Sequence, residues 1–373
     1  MATDRLGLYV HIPYCVRKCN YCDFCSLPKG QAGVPDPYVD RLCREISDYS
    51  LRVTHRLDTV YFGGGTPSLL TPVQMERIMS TIRQTFDISP SAELTFEANP
   101  GTLTEEKSEA FYNLGFNRVS LGLQSIHENE MKTLGRIHTY DEFLASYRML
   151  RRTGFNNVSV DLMYGIPHQT VESFKQTLTE LISLSPEHIS VYGLMIEEGT
   201  PFYEKRDSLS LPSLDSECDM YELAGDLLSR AGYEHYEISN YARDGYRSRH
   251  NTLYWRLGEY IGVGAAAHSF FGGKRYFNTD NVEEYILSDG ITDAGEAESE
   301  SELAYEYAML GLRLKDGISL LEYESRFGTS FIQGKEDKIK RLCDAGLITL
   351  SGGRLALSER GFYLSNSILV EIL

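Results

Sequence analysis

The chain has 373 residues, which is enough for two or three domains and for a core that needs no disulfide bonds. Its 36 basic and 53 acidic residues give a formal net charge of −17, which argues against a general nucleic-acid binder and against a polybasic membrane anchor. The sequence has neither a run of 18 apolar residues nor a secretory-signal pattern at its amino end, so we expect a cytosolic protein.

The first half of the chain alternates between predicted strands and predicted helices. Runs rich in β-branched and aromatic residues predict six strands, at 8–12, 59–64, 93–99, 118–124, 157–165 and 188–196. Helical spacing of apolar residues predicts helices between them, at 38–53, 72–86, 105–114, 140–152 and 171–184. Because the strands are nearly apolar on both faces, the pattern predicts an α/β fold whose parallel sheet forms an open, partial (β/α)6 barrel.

Polar and glycine residues close or follow several of these strands. They are His11, the glycines after Phe62, Glu97, Gln124 and Asp161. Because ligands of parallel sheets and barrels bind at the carboxyl ends of the strands, these residues are candidates for a binding site. His11 is expected to position the loop that follows it by hydrogen bonding.

The pattern changes after about residue 200. A predicted helix at 214–231 leads to a stretch rich in Tyr, Arg and His at 236–256, a Gly/Ala run at 262–268 and an acidic, exposed connector at 292–302. Helices near 303–315, 319–327 and 335–345, a hairpin turning at Gly352 and Gly353, and a last helix predict a winged-helix-like module that docks or caps rather than reads DNA. We therefore divide the chain into a partial barrel at 1–235, a middle segment at 236–300 and a carboxyl-terminal module at 301–373.

Four cysteines fall within eleven residues directly after the first predicted strand. Cys15, Cys19 and Cys22 have the spacing of three thiolates that hold three irons of a cubane cluster and leave the fourth iron open to a ligand. A zinc site completed by Cys25 is the alternative that the cysteines alone leave open.

A glycine-rich turn, GGGTP at 63–67, follows the second predicted strand. Successive glycines leave backbone N–H groups free for a ligand to approach closely, although an ordinary turn is the simpler interpretation. The turn and the cysteine cluster together, at the ends of neighbouring strands, favour a ligand site.

These motifs carry a resemblance to a known family. The chain reads YVHIPYCVRKCNYCDF at 9–24 and then YFGGGTPSLL, and it resembles the radical S-adenosylmethionine (radical SAM) superfamily in its oxygen-independent coproporphyrinogen oxidase-like branch. Further similar segments are FEANP, NRVSLGLQS, LGR, VDLMYGIP and YEISNYAR. The resemblance implies a TIM-like partial barrel with a 4Fe-4S cluster on Cys15, Cys19 and Cys22, whose unique iron chelates S-adenosylmethionine. It also implies residues around that cofactor at Tyr9, Tyr21, Gly64, Gly65, Thr66, Glu97, Gln124, Arg136 and Asp161.

A second motif separates two subfamilies of this branch. The true oxidases carry a fourth cysteine two residues after the third, where this chain has Phe24, and it instead has HNTLYW at 250–255, similar to the HNxxYW motif of HemW-type heme chaperones. An imidazole, two aromatic faces and nearby arginines suit a heme contact, which makes His250, Tyr254 and Trp255 candidate heme residues, with propionates paired to arginines at 243, 247, 249 and 256. His268 is a second candidate ligand, and ordinary packing is the alternative for His250 and Trp255.

The resemblance thus implies a chaperone that binds heme and transfers it to an acceptor protein, a class that includes membrane-associated proteins, and an electron donor that serves the cluster. The first alternative is an oxygen-independent coproporphyrinogen III oxidase of porphyrin biosynthesis. The second is a zinc-stabilised binding module, which leaves GGGTP unexplained.

Overall fold

The computed structural model describes residues 5–291, 295 and 297–373, and it is built around one sheet of eleven strands. The strands of the chain are β1 (Arg5–Ile12), β2 (Tyr14–Cys15), β3 (Leu27–Pro28), β4 (Arg56–Gly64), β5 (Ile88–Ala98), β6 (Arg118–Gln124), β7 (Val158–Tyr164), β8 (His188–Gly193), β9 (Glu234–Glu237), β10 (Asn240–Ala242), β11 (Glu259–Val263), β12 (His268–Phe271), β13 (Lys274–Phe277), β14 (Ile318–Ser319), β15 (Ile348–Ser351) and β16 (Arg354–Leu357). The order in the large sheet is β13-β12-β11-β1-β4-β5-β6-β7-β8-β10-β9.

Helices connect and cover these strands. They are α1 (Asp36–Asp48), α2 (Pro72–Thr85), α3 (Glu105–Asn113), α4 (Glu128–Leu134), α5 (Tyr140–Thr153), α6 (Val171–Leu184), α7 (Pro201–Glu204), α8 (Leu214–Arg230), α9 (Arg249–Trp255), α10 (Val282–Leu287), α11 (Glu300–Gly311), α12 (Leu320–Phe327), α13 (Glu336–Asp344), α14 (Glu359–Tyr363) and α15 (Ser365–Ile372). Thr71 and Thr139 cap α2 and α5 through reciprocal capping boxes, which fixes where these two helices begin. No helix in the described ranges combines the length and apolar character needed to cross a bilayer.

The six strands predicted from the sequence form the centre of the sheet. β1, β4, β5, β6, β7 and β8 lie side by side in chain order and pair in parallel, as the alternation with helices predicts. Their side chains are buried on both faces, for example throughout β6, because helices cover the outside and side chains fill the barrel interior. This confirms the partial α/β barrel.

The middle segment of the sequence extends this sheet at both edges. β11 pairs in parallel with β1 and continues into the antiparallel β12 and β13, whereas β10 and β9 add antiparallel strands beside β8. The domain division stays a prediction, and its first boundary, after residue 235, falls inside β9.

The carboxyl-terminal helices α11–α15 pack around a small sheet of order β14-β16-β15 with its own apolar core. Its hairpin turns at Gly352 and Gly353, both at positive φ, as expected. The predicted last helix is two short helices, α14 and α15. Of the expected acidic connector, residues 292–294 and 296 lie outside the described residues, while 300–302 are the first turn of α11, capped by Ser299.

Candidate functional site

A cavity of about 490 Å³ opens at the carboxyl ends of the parallel strands, and the cysteine loop forms one wall. Cys15, Cys19 and Cys22 line it, but Cys25 does not. The Cys25 thiol contacts the backbone carbonyl of Asp280 at 3.3 Å, and its own carbonyl lies 2.9 Å from Nε2 of His11. His11 therefore positions the loop, as predicted, and three thiols face the cavity while the fourth is held away from it.

This arrangement bears on the kind of metal group that the thiols could hold. In the described part of the chain, no three His, Cys, Asp or Glu side chains converge closely enough to hold a single ion. Three thiols spaced around a cavity fit a cluster, in which each thiolate binds a different iron. Burial raises the pKa of Cys15 and Cys22, so these thiols are protonated until a metal group displaces the proton.

The glycine turn packs against this loop. A Cβ on Gly64, where φ is +106°, would lie 2.5 Å from the His11 ring, and a Cβ on Gly65 would lie 2.7 Å from the carbonyl oxygen of Tyr14. The Gly65 amide donates to the Ile12 carbonyl, and the Gly64 amide bonds to Glu97. The expectation that these amides are free for a ligand is therefore wrong: the glycines line the cavity, but they are needed because the cysteine loop lies so close.

Two half-buried carboxyl groups face the cavity from neighbouring parts of the sheet. Glu97, in β5, accepts a hydrogen bond from the Tyr61 hydroxyl at 2.7 Å, and burial raises its pKa to about 7. Asp161, in β7, accepts bonds of 3.0 and 3.1 Å from the Ser120 hydroxyl, and burial raises its pKa as well. Both carboxyls have oxygens that can accept hydrogen bonds from the ammonium or hydroxyl groups of a ligand.

Arg136 brings a positive charge to the thiols. Its guanidinium donates to the Asn99 side chain at 2.7 Å and to the Gly122 carbonyl at 2.8 Å, and Nη1 lies 3.7 Å from the Cys19 sulfur. Its Nε atom and Oε1 of Gln124 are buried without a hydrogen-bond partner among the described residues. Because buried polar groups are nearly always paired, a polar ligand or a water molecule in the cavity would supply the missing partners.

The predicted cofactor residues come together with one exception. Tyr21, Gly64, Gly65, Thr66, Glu97, Gln124, Arg136 and Asp161 all line the cavity. Tyr9 does not: it lies inside the barrel, its hydroxyl is 3.0 Å from Nδ1 of His11, and its ring stacks on Tyr61. Its contact with the cavity is thus indirect, through Tyr61, which lines it.

Sequence reasoning missed several residues of this wall, among them Asn99 and His138. Asn99 joins Arg136 to the Thr66 hydroxyl, which accepts its amide at 2.9 Å, and only its place in the FEANP segment could have indicated it. His138 lies at the cavity next to Arg136, and burial lowers its pKa to about 3, so its imidazole is neutral. Nothing in the local sequence distinguishes His138.

The HNTLYW motif lies in α9, and His250 and Tyr254 point into the barrel. His250 is 1% exposed, with Nδ1 at 2.8 Å from the Thr59 hydroxyl and Nε2 at 2.7 Å from the Tyr254 hydroxyl. Its ring stacks on Tyr61 at 5.0 Å, and burial lowers its pKa to about 3. Both ring nitrogens are therefore engaged, and His250 could bind iron only by leaving one of these bonds.

Tyr254 contacts His250, but Trp255, Arg243 and His268, which were also proposed for a heme contact, do not. The half-buried Trp255 has the guanidinium of Arg313 5.8 Å from its ring centre. The Arg243 guanidinium lies over Tyr233, at 4.7 Å from the ring centre. His268 is exposed on β12, where its ring stacks on Phe277. The sequence motif therefore does not form one continuous surface.

Comparisons with known proteins find similarity along nearly the whole chain. Residues 9–181 match the family described as the Radical SAM superfamily, and residues 299–364 match the HemN C-terminal domain. The heme chaperone HemW of Lactococcus lactis is 35% identical over 370 residues, 98% of this chain and 96% of the relative. The heme chaperone HemW of Escherichia coli is 35% identical over 376 residues, 98% of this chain and 97% of the relative.

Among solved structures, coproporphyrinogen III oxidase (HemN) from Escherichia coli, a radical SAM enzyme, has a TM-score of 0.85 to this chain. The match covers 98% of this chain and 89% of that protein at 24% identity, so it shows a shared fold.

Proposed function

Because this chain belongs to the HemW family within the radical SAM superfamily, we propose that it is a heme chaperone, which binds heme and delivers it to acceptor proteins. The observation that carries the proposal is the similarity, along nearly the full length, to proteins named for this activity. Two features of the sequence support it: HNTLYW at 250–255, and Phe24 at the position of the oxidases' fourth cysteine.

Members of the superfamily hold a 4Fe-4S cluster and S-adenosylmethionine, and the first cavity suits both. Cys15, Cys19 and Cys22 would hold the cluster, which supplies one-electron chemistry at an iron with an open coordination position. The carboxyl groups of Glu97 and Asp161 would accept hydrogen bonds from the polar groups of S-adenosylmethionine. The unpaired atoms of Gln124 and Arg136 would bind its remaining polar edges.

Two partners complete the proposed cycle. A heme-acceptor protein, with membrane-associated hemoproteins as the first class to test, would receive the cargo, and an electron donor would reduce the cluster. The net charge of −17 gives no support to a nucleic-acid partner.

One preparation separates the chaperone from the oxidase. After anaerobic reconstitution with iron and sulfide, we expect the protein to bind heme in a spectroscopic titration and to transfer it to an added apo-hemoprotein. The same sample, supplied with S-adenosylmethionine and a reductant, should not convert coproporphyrinogen III. Chromatography of the reaction mixture measures this. Stoichiometric conversion to protoporphyrinogen would contradict the proposal in favour of the oxidase.

A further inference from the structure

A second cavity, of about 560 Å³, lies at the opposite end of the barrel from the cysteines. Its walls are the amino ends of β1 and β4, one side of α9, Phe270 of β12, and Leu303 and Arg326 from the carboxyl-terminal helices α11 and α12. This volume is in the range of small-molecule binding sites. The cavity therefore lies where the barrel meets the carboxyl-terminal module, away from the cofactor cavity.

The helix α9 turns one face toward this second cavity. Arg249, Thr252, Leu253 and Arg256 line it, and their spacing of three, one and three residues is that of one helical face. His250, by contrast, bonds to residues inside the barrel. The helical period thus keeps the imidazole out of the cavity lining, although its hydrogen-bond partner Thr59 is part of that lining.

The charge in this cavity is opposite to that of the whole protein. Five arginines and three carboxylates line it, an excess of two positive charges in a chain of net charge −17. Arg247 and Arg256 share the carboxylate of Asp316, at 3.2 and 3.9 Å. Arg249 and Arg326 form no ion pair with a described residue, so no carboxylate neutralises their charges. Nη1 of Arg249 donates to the Ser91 carbonyl, and the Arg326 guanidinium lies over the rings of Tyr307 and Phe327.

Apolar side chains complete the lining, and iron ligands do not occur in it. Leu253, Leu257, Phe270 and Leu303 supply the apolar surface. The lining residues that the structure describes include no His, Cys, Met or Tyr, the side chains that bind heme iron in proteins. A ligand of this site would be recognised by an apolar body and by carboxylates.

We propose that this second cavity is the cargo site and binds a porphyrin through its propionates and its apolar face, without a protein ligand to the metal. This inference rests on the proposed chaperone function and specifies where and how the cargo is held. Arginine pairs carboxylates through charge-assisted hydrogen bonds, and the leucines and Phe270 match the apolar macrocycle. The site should therefore accept metal-free protoporphyrin IX as well as heme.

Titrations of the full-length protein with heme and with metal-free protoporphyrin IX test this proposal. We expect the Kd values of the wild type for the two porphyrins to agree within about threefold. Arg249→Gln and Arg326→Gln should each raise both Kd values by roughly tenfold, because each variant loses one charge-assisted hydrogen bond to the porphyrin. Protoporphyrin dimethyl ester, which lacks the charges, should bind at least roughly tenfold more weakly. The control, Arg148→Gln on the exposed side of α5, should bind as the wild type does.

The outcomes distinguish the inference from the function on which it rests. If the wild type binds neither porphyrin, the chaperone function itself fails. If it binds heme but not the metal-free porphyrin, or if both arginine variants bind heme normally, heme is bound elsewhere and only the second-cavity site is refuted. Unchanged iron content and melting temperature in the two variants would show that a loss of binding is local to the site.

Discussion

Replacing His250 by alanine should destabilise the protein as a whole, whatever it does to heme binding. The substitution removes a ring that is 1% exposed and leaves the hydroxyls of Thr59 and Tyr254 without their partner. An unsatisfied buried polar group costs about 1–3 kcal/mol, and the lost ring leaves a cavity beside Tyr61. We expect a loss of about 3–5 kcal/mol in the free energy of unfolding, or a melting temperature lower by roughly 4–6 °C.

Thermal unfolding followed by circular dichroism measures this effect, and His268→Ala is the matched control. His268 is exposed on β12, so its removal should change stability by less than about 0.5 kcal/mol. Equal melting temperatures for the two variants would refute the buried, doubly hydrogen-bonded role of His250. A loss of heme binding in His250→Ala identifies an iron ligand only if the variant is compared at a temperature where it remains folded.

Further predictions follow from the cavity and from the carboxyl-terminal module. Cys25→Ala should retain about four irons after anaerobic reconstitution, whereas alanine at Cys15, Cys19 or Cys22 should abolish the cluster. An iron assay that finds the Cys25 variant as depleted as the other three would contradict this. Gly65→Val should displace the cysteine loop and lower the iron content. Gly225→Ala should not, because its Cβ would meet only the Tyr241 hydroxyl, at an ordinary contact distance of 3.8 Å. The bond from His235 is the main cause that lowers the pKa of Glu359 to about 2, so its stabilising effect is complete above pH 4.5 and is lost as pH falls from 4.5 toward 2. Glu359→Gln should flatten that part of the curve of melting temperature against pH.

The local sequence pattern determined the central barrel and the set of residues at one of its ends. Six apolar runs and the helical spacing between them predict β1 and β4–β8, because burial on both faces leaves a pattern that each strand carries by itself. The carboxyl ends of parallel strands meet at one edge, so Glu97, Gln124 and Asp161 could be placed together with the cysteines before any contact was known.

The edge strands and the role of Cys25 were decided by contacts between distant parts of the chain. β9–β13 are short, and only pairing with β8 and β1 shows that they extend the large sheet. The thiol of Cys25 is held by the carbonyl of Asp280, 255 residues later in the chain, and no spacing rule for cysteines contains that contact.

The HNTLYW segment is the clearest case in which contacts between distant parts of the chain decided the arrangement. The motif and its flanking residues place an imidazole beside several arginines in the sequence, but the helix gives them different positions. Arg249 and Arg256 line the second cavity, whereas His250 lies behind its wall and bonds to Thr59, which is part of the lining. The sequence by itself therefore determined which side chains are available near the motif. Only the tertiary structure decided which of them share a surface, because that depends on what packs against each face of α9.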